Sequence, residues 1–429
     1  MQGKIKQSKL AKFGGSPMLS RSELIRYNPI GKRSISAAVK VLKSGNLSEF
    51  VGEWGENFYG GPKIRELEDL CKSMFETKYA VSMNSWTSGL IAAVGAIGIE
   101  PGDEIITTPY TMCATATSIL HWNAIPVFVD IDPRTFNIDA TKIEEKISSN
   151  TKAIMVVDIC GQPADMDEIK VIANKHNLKI ITDSAQAPGA KYKGQFAGTL
   201  SDIGGYSFNF HKHIHSGEGG LCFTNNEDLA NNLQLIRNHA EAVVLNKGHA
   251  NYINMVGYNF RLGELEAAIL IPQLLELEKI ISRRVQMAEI LNQNLSNLDG
   301  LETPFVAKDR THSFYTYSLL IPTESQSGVP RSEIVDALQK EGVPAEGGYQ
   351  NLHMLPMYQK KIAYGSKGFP WSNGAQYRNI DYSHGTCPVA ELIHEEKVVT
   401  LSPCDFEFTN SQLNKIGEAF HKVWNHYYK

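Results

Sequence analysis

Apolar runs alternate with helical patterns along the first two thirds of the chain. An apolar run of four to eight residues is typical of a buried strand, whereas apolar residues three or four positions apart are typical of one helix face. Helix-like segments separate several such runs, which read YAVSM, DEIITT, IPVFVDI, KAIMVVDIC and LKIITD. This alternation predicts an α/β fold with a mostly parallel sheet between two layers of helices. Shorter strands are predicted at residues 206–210 and 220–224.

A different pattern begins at Glu264 and extends to the C-terminus. One long helical pattern starts there and contains Pro272, which predicts a kink because proline lacks a backbone N–H. Two strand-like segments and one helical segment follow before a last helix, and they read FYTYSLLI, SEIVDALQKEG and VVTLSP. We therefore predict an N-terminal segment (1–45) that packs with the small domain, a large domain (46–285) and a smaller α+β domain (286–429).

The composition narrows the classes of function. The chain has 429 residues, of which 42% are hydrophobic, and its formal net charge of −4 provides no basic excess for binding nucleic acid. No run of about 18 apolar residues occurs, and the N-terminal stretch lacks the apolar core of a signal peptide. The six cysteines include no C-x-x-C pair, so neither disulfides nor a cysteine zinc site is indicated. We expect a cytoplasmic protein that binds neither nucleic acid nor a membrane.

Residues that follow the strands are the candidates for chemistry, because sheets of this kind bind ligands at the carboxyl ends of their strands. Asp183 ends the run LKIITD. A buried carboxylate needs partners, so it either caps the next helix or binds a protonated heterocyclic nitrogen such as that of pyridoxal phosphate. In the turn NSWTSG, Ser85 and Thr87 either cap a helix or help to hold a phosphate at its N-terminus. The glycine-rich motifs of nucleotide-binding proteins do not occur.

The stretch SFNFHKHIHSGEGG places Lys212 among His211, His213 and His215. Histidines at alternate positions share one face of a strand and can provide two metal ligands, but no cysteine or acidic cluster accompanies them. Polar histidines without a metal are the simpler interpretation, so we predict no metal. Lys212 is either a solvated lysine or, because it lies between an apolar strand and a glycine turn, a partly buried amine that attacks a carbonyl group.

Seven motifs follow one another along most of the chain. They read GPKIRELE, NSWT, PGDEII, GQPADMDEI, DSAQAPGA, SFNFHKHIHSGEGG and GYNFRLGE. Their order resembles the DegT/StrS family of sugar aminotransferases, which are fold type I pyridoxal phosphate enzymes. KFGGSP near the N-terminus also resembles longer members that act on cyclitols and some sugars. The resemblance implies a large domain with a mostly parallel seven-stranded sheet between helices and a smaller C-terminal α+β domain.

The resemblance also assigns residues to a pyridoxal phosphate site. By position, Lys212 matches the lysine that binds the cofactor covalently and then moves the proton. Asp183 matches the acid at the pyridine nitrogen, and Gln186 matches the residue beside the ring and its phenolic oxygen. The resemblance therefore implies that Lys212 and Asp183 are catalytic.

The phosphate and subunit contacts are implied in the same way. Ser207, Thr87 and the backbone at Trp86 match the phosphate cradle. Asn259 resembles an asparagine that the neighbouring subunit contributes to that phosphate, which implies a homodimer with shared active sites. Arg261 either binds a donor carboxylate or an acceptor phosphate, or forms a structural pair at a helix end.

Two residues depart from the family pattern. Members usually have a small residue where this chain has the bulky Trp86, and they usually stack an aromatic ring on the cofactor where this chain has Met112. Either Met112 covers the ring through its polarizable thioether, or Tyr110 or Trp86 provides the stacking.

The implied activity is transfer of an amino group from glutamate or glutamine to a keto-sugar, expected to be nucleotide-linked. An aminocyclitol aminotransferase and a sugar dehydratase of the same fold are the alternatives. Dehydratase relatives carry histidine in place of the lysine, and the spacing from Ser207 to Glu218 places Lys212 there, which favours transamination. A regulatory relative without turnover is expected to lack the lysine, and a metal hydrolase would use the three histidines.

Overall fold

The computed structural model describes residues 9–248, 253–372 and 379–428. Its strands are, in chain order, β1 Tyr79–Met83, β2 Glu104–Thr107, β3 Ile125–Phe128, β4 Thr151–Val157, β5 Lys179–Asp183, β6 Lys191–Tyr192, β7 Gln195–Phe196, β8 Ile203–Ser207, β9 Gly220–Thr224, β10 Tyr317–Leu320 and β11 Val398–Leu401.

The α-helices are, in chain order, α1 Lys32–Ser44, α2 Pro62–Met74, α3 Trp86–Ala96, α4 Ala114–His121, α5 Met166–His176, α6 Glu227–Arg237, α7 Ala240–Lys247, α8 Glu264–Leu274, α9 Leu277–Leu295, α10 Glu324–Ser327, α11 Arg331–Lys340, α12 Pro356–Gln359, α13 Pro388–Leu392 and α14 Asn410–Tyr427. Across the described ranges, no helix is both long and apolar enough to cross a membrane.

Seven strands form the central sheet, and this confirms the predicted fold class. Their order is β1-β9-β8-β5-β4-β2-β3. The strands from β8 to β3 run parallel, whereas β9 is antiparallel to both of its neighbours. Ile105 and Ile106 of β2 belong to different apolar clusters, because successive side chains of a strand point to opposite faces. Both faces of the sheet are therefore covered.

Element ends differ from the predictions at two places. The strand predicted at 206–210 is β8, which ends at Ser207, the last residue paired with β9. Beyond it the chain turns, and the Lys212 N–H donates to the Asn209 carbonyl oxygen at 2.9 Å. The predicted single helix with a kink is two helices, α8 and α9, because Pro272 lacks the N–H that would support the last turn of α8.

The C-terminal part is an α+β unit built on the antiparallel pair β10 and β11. Helices α9, α11 and α14 contribute to one apolar cluster around this pair, with Tyr317, Leu338 and Phe420 among its fully buried members. The cluster is separate from those on the faces of the large sheet.

Residues near the N-terminus pack into this C-terminal cluster, where Leu10 is buried. The buried Glu341 carboxylate accepts hydrogen bonds from the backbone N–H groups of Ala11 at 2.8 Å and Met18 at 3.2 Å. Lys422 Nζ donates to the same carboxylate at 2.8 Å. Helix α1, in contrast, packs against α8. The exact limits of the three predicted parts stay predictions.

Candidate active site

Lys212 lies in the loop between β8 and β9 and is 6% exposed. Its Nζ lies 4.1 Å from the centroid of the Tyr315 ring. No hydrogen-bond or ion-pair partner of this Nζ occurs among the described residues. Burial lowers the pKa of the amine to about 8, against the opposing effect of the negative charge on Asp183. Such an amine is partly unprotonated near neutral pH and can act as a nucleophile.

Asp183 ends β5 and is 5% exposed. Its Oδ1 accepts hydrogen bonds from the Trp86 indole N–H at 2.7 Å and from the Ala185 backbone N–H at 3.2 Å. Its Oδ2 accepts a hydrogen bond from the Thr115 hydroxyl at 2.8 Å. Donors on both oxygens hold the carboxylate in one orientation and compensate for its lost hydration.

Gln186 connects the end of β5 with the turn after β4. Its Oε1 accepts a hydrogen bond from the Cys160 N–H at 2.8 Å, and its Nε2 donates to the Tyr349 hydroxyl at 3.0 Å. Cys160 has a φ of 59°, which lies in the left-handed region that residues with side chains rarely adopt. Gln186 therefore stabilises a strained turn beside the site.

The N-terminus of α3 lies at the carboxyl end of β1. Ser85 caps this helix through its side chain, and Thr87 in the first turn is exposed. Gly220 pairs with Ser207 on β8, and a Cβ at Gly220 would lie 2.6 Å from the backbone N of Trp86. The glycine thus allows the start of β9, which pairs with the end of β8, to approach the start of α3. Helix amides and hydroxyl groups so arranged suit a phosphate.

Asn259 and Arg261 lie on the segment that precedes α8. The Arg261 Nε–H donates to Asn259 Oδ1 at 2.7 Å, so the two residues contact each other within one chain. Asn259 is exposed, and its carbonyl oxygen accepts a hydrogen bond from Asn84 Nδ2 at 3.2 Å. This contact connects the segment to the turn that precedes α3.

The three candidates for ring stacking occupy different environments. The Trp86 ring is 4% exposed in the apolar cluster between α3 and the sheet, and its N–H is engaged by Asp183. Stacking by Trp86 is therefore not supported. Tyr110 is 1% exposed, with its ring centroid 6.1 Å from that of Tyr349. Met112 is 52% exposed, and its Sδ lies 3.1 Å from the Ala114 backbone N.

The three histidines near Lys212 have separate partners. His213 is fully buried, its Nε2 lies 2.9 Å from the Ser313 carbonyl oxygen, and burial lowers its pKa to about 3. The His215 N–H donates to the side chain of Gln273. Burial also lowers the pKa of His211 to about 4. In the parts of the chain that the structure describes, no group of three or more His, Cys, Asp or Glu side chains is placed to hold a metal ion.

A cavity of about 770 Å³ lies between the surroundings of Lys212 and the C-terminal unit. Tyr315 and Tyr349 both line it, so the cavity borders the surroundings of Lys212 and Gln186. Its lining includes side chains that can bind anions and hydroxyl groups, namely Arg21, Arg26, Thr316, Ser318, Thr400 and Ser402.

The sequence analysis does not single out Thr115, Tyr315 or Tyr349. Thr115 lies in the segment TMCATATS soon after β2, and several hydroxyl groups at a strand end are a signal that could have indicated it. The tyrosines lie far along the chain from Lys212, and no local motif connects them with it. Their proximity is a product of the packing of the C-terminal unit.

The chain belongs to the DegT/DnrJ/EryC1/StrS aminotransferase family, whose family model matches residues 48–400. The predicted family and the predicted enzyme class are thereby confirmed. Aminotransferases of this family use pyridoxal phosphate.

Three relatives illustrate the similarity. GDP-perosamine synthase of Caulobacter vibrioides is 36% identical over 299 residues, covering 70% of this chain and 79% of that protein. The spore coat polysaccharide biosynthesis protein SpsC of Bacillus subtilis is 35% identical over 348 residues, covering 80% of this chain and 86% of that protein. The crystal structure of NtdA from Bacillus subtilis, with bound cofactor PMP, matches with a TM-score of 0.76 and 26% identity, covering 95% of this chain and 85% of that one.

Proposed function

We propose that this protein is a pyridoxal phosphate-dependent aminotransferase that transfers an amino group from glutamate or glutamine to a nucleotide-linked keto-sugar. The observation that carries the proposal is the Lys212 amine, which is buried without a partner among the described residues and lies near the Asp183 carboxylate. A relative named GDP-perosamine synthase and another named for polysaccharide biosynthesis support a sugar acceptor.

The side chains present fit the chemistry of the cofactor. When bound, pyridoxal phosphate supplies an aldehyde for an amine and a ring that accepts electrons from the substrate carbon. The Lys212 amine would hold the cofactor through its aldehyde group and, when free, would serve as the base for the proton on the donor's α-carbon. The Asp183 carboxylate would keep a proton on the ring nitrogen, because a fixed negative charge beside that nitrogen favours its protonated form. Gln186 would lie beside the phenolic oxygen of the cofactor.

The cofactor phosphate is proposed to bind at the N-terminus of α3, with the backbone at Trp86 and the hydroxyl groups of Thr87 and Ser207. The close approach of β9 to this helix at Gly220, which pairs with Ser207, supports this assignment. The exposed Asn259 is proposed to reach the phosphate of a second subunit. Met112 remains the proposed cover of the ring, since its flexible thioether is exposed near the N-terminus of α4.

A homodimer is proposed because helix α1 presents an apolar face. Ile35, Val39 and Leu42 recur at helical spacing and are 56%, 40% and 56% exposed. A contiguous apolar patch of this kind is typical of a surface that another subunit covers. The cytoplasmic location stays a prediction.

The cavity is the proposed site of the acceptor. Arg21 and Arg26 line it, and neither forms an ion pair with another described residue. Guanidinium groups suit the diphosphate of a nucleotide-linked sugar, and hydroxyl-bearing side chains such as Ser318 suit the sugar itself. Arg261 is proposed to bind the carboxylate of the donor, because its Nε–H contact with Asn259 holds the guanidinium beside a residue that is proposed to reach the phosphate of a second subunit.

The two half-reactions test this function separately. Glutamate alone should remove the absorption of the bound aldehyde and release 2-oxoglutarate in an amount equal to that of the active sites; glutamine should release its own keto acid. A panel of keto-sugar nucleotides with glutamate should then give an amino sugar by mass spectrometry. A Lys212→Met variant is the control for both steps. Loss of a hydroxyl group from the sugar, without amine formation, would contradict the proposal and favour a dehydratase.

A further inference from the structure

Trp86 reaches Asp183 across the sheet. It is the first residue of α3, which follows β1, whereas Asp183 ends β5. Strands β9 and β8 lie between β1 and β5. Helix α3 packs over β9 and β8, and from its first turn the Trp86 indole N–H reaches the Asp183 carboxylate at 2.7 Å. The small residue expected at this position from the family resemblance would not reach the carboxylate.

Glycines provide the space for the indole. Gly205 on β8 is paired with Asp183, and a Cβ there would lie 2.4 Å from the Trp86 ring as well as 2.0 Å from the Leu221 carbonyl oxygen. A Cβ at Gly89 would lie 2.7 Å from the same ring. The indole therefore fits closely between α3 and the sheet, and its N–H is directed at Asp183 by packing on both sides.

The hydrogen bonds leave a defined acceptor position on the carboxylate. A carboxylate offers about four such positions, two on each oxygen. Trp86 and the Ala185 N–H occupy those on Asp183 Oδ1. Thr115 occupies one on Oδ2. Counting only donors from the described residues, one position remains, and it belongs to Oδ2.

We propose that Trp86 is a positioning residue for Asp183, whose carboxylate it fixes so that Oδ2 presents its remaining acceptor position to the protonated ring nitrogen of the cofactor. The inference rests on the proposed function for the identity of that nitrogen. Without the indole N–H, Oδ1 keeps only the longer contact with Ala185, and the carboxylate is freer to rotate away from the ring.

The test compares two tryptophan variants. Trp86→Phe keeps an aromatic ring but removes the donor. Trp122→Phe is the matched control, because its indole N–H donates to the Ile91 carbonyl oxygen at 2.7 Å and its ring packs against the same apolar cluster. Both variants and the wild type are loaded with pyridoxal phosphate labelled with ¹⁵N in the ring, and the chemical shift of that nitrogen is followed with pH.

We expect the ring nitrogen to lose its proton at lower pH in Trp86→Phe than in the wild type and in Trp122→Phe. The kcat should fall roughly tenfold in Trp86→Phe, as for loss of one hydrogen bond to a charged group, while KM for glutamate stays within about twofold. A ¹⁵N titration identical to that of the wild type would overturn the inference and leave the proposed function intact. Failure of the wild type to bind the cofactor would overturn both.

A second measurement does not require that Trp86→Phe folds. In the apoprotein, Asp183→Asn removes the charge that the indole N–H faces, so the indole proton resonance of Trp86 should move upfield. The Trp122 resonance, whose acceptor is a backbone carbonyl, should not move. An unchanged Trp86 resonance would contradict the inference.

Discussion

Two buried lysines, Lys212 beside the central sheet and Lys422 in α14, differ in their partners. Both are nearly inaccessible, at 6% and 7% exposure. Lys422 Nζ lies 2.8 Å from both the Glu341 carboxylate and the Ser16 carbonyl oxygen. The Lys212 amine has neither kind of partner within the described ranges and faces the Tyr315 ring.

The comparison shows how one residue type serves two purposes. A buried lysine that is paired with a carboxylate holds two parts of the chain together, here the N-terminal residues and the C-terminal unit. A buried amine without a carboxylate partner loses its proton more easily and becomes reactive. Burial alone therefore does not identify a catalytic lysine, whereas burial without a partner favours one.

The largest effect is expected from Lys212→Met. Transamination should fall by more than about 10³-fold, because the variant lacks the amine that is proposed as both nucleophile and general base. Its free energy of unfolding should not decrease, since no hydrogen bond of this amine is lost. Steady-state kinetics and denaturant unfolding of the apoprotein measure the two quantities. Substantial activity in this variant would show that another group serves as the base.

Lys422→Met should lower stability and leave activity unchanged, the opposite of Lys212→Met. Removing one member of a buried ion pair is expected to lower the free energy of unfolding by about 3–5 kcal/mol, because Glu341 is left buried and charged. Activity per folded molecule should remain near that of the wild type. Lys415→Met on the same helix is the control. Lys415 is 42% exposed, and its ion pair with Glu23 is long, at 3.7 Å between Nζ and Oε2. Equal stability of the two variants would contradict a structural role for Lys422.

The pH dependence of cofactor capture should distinguish Lys212 from an ordinary lysine. Only the unprotonated amine attacks the aldehyde, so the rate at which the apoprotein binds pyridoxal phosphate should rise with pH and level off above about 8. For an amine with the ordinary pKa of about 10.4, the rate would keep rising for about two further pH units. The pKa of Lys212 is lower in the folded state than in the unfolded chain. As pH rises from about 8 to about 10.4, Lys212 therefore makes the folded state more stable. Stopped-flow absorbance measures the rate.

A smaller effect is expected from Tyr315→Leu. The ring favours the charged form of Lys212 through a cation–π contact of about 0.5–2 kcal/mol. Leucine keeps the site apolar without that contact, so the midpoint of cofactor capture should fall by about 0.5–1 pH unit. Tyr315→Phe retains the ring and should leave the midpoint unchanged. A midpoint that moves equally in both variants would assign the effect to the hydroxyl group instead.

Much of the central sheet could be predicted from the sequence because its strands are short apolar runs with clear ends. The bounds of β1 and β9 match the predicted runs. The sequence analysis does not include helix α1, although its apolar residues Ile35, Val39 and Leu42 recur at helical spacing; in the structure they face outwards. The alternation of YSFNF predicts too late an end for β8, because it continues beyond Ser207, where pairing with β9 stops.

The candidate site could be predicted residue by residue but not as a network. Lys212, Asp183 and Gln186 lie in local motifs, so the sequence indicates each of them. The contact of Trp86 with Asp183 depends on the order of the strands and on Gly205, and neither is visible in a local pattern. The roles of these residues stay predictions.

Reductive labelling tests the account most directly. The holoprotein is treated with borohydride, which fixes the cofactor to the amine that holds it, and the digested protein is mapped by mass spectrometry. The account predicts one cofactor per chain on the peptide that contains Lys212 and none on the peptide that contains Lys422. Labelling of any other lysine, with Lys212 unmodified, would contradict the claim that the buried amine without a partner is the reactive one.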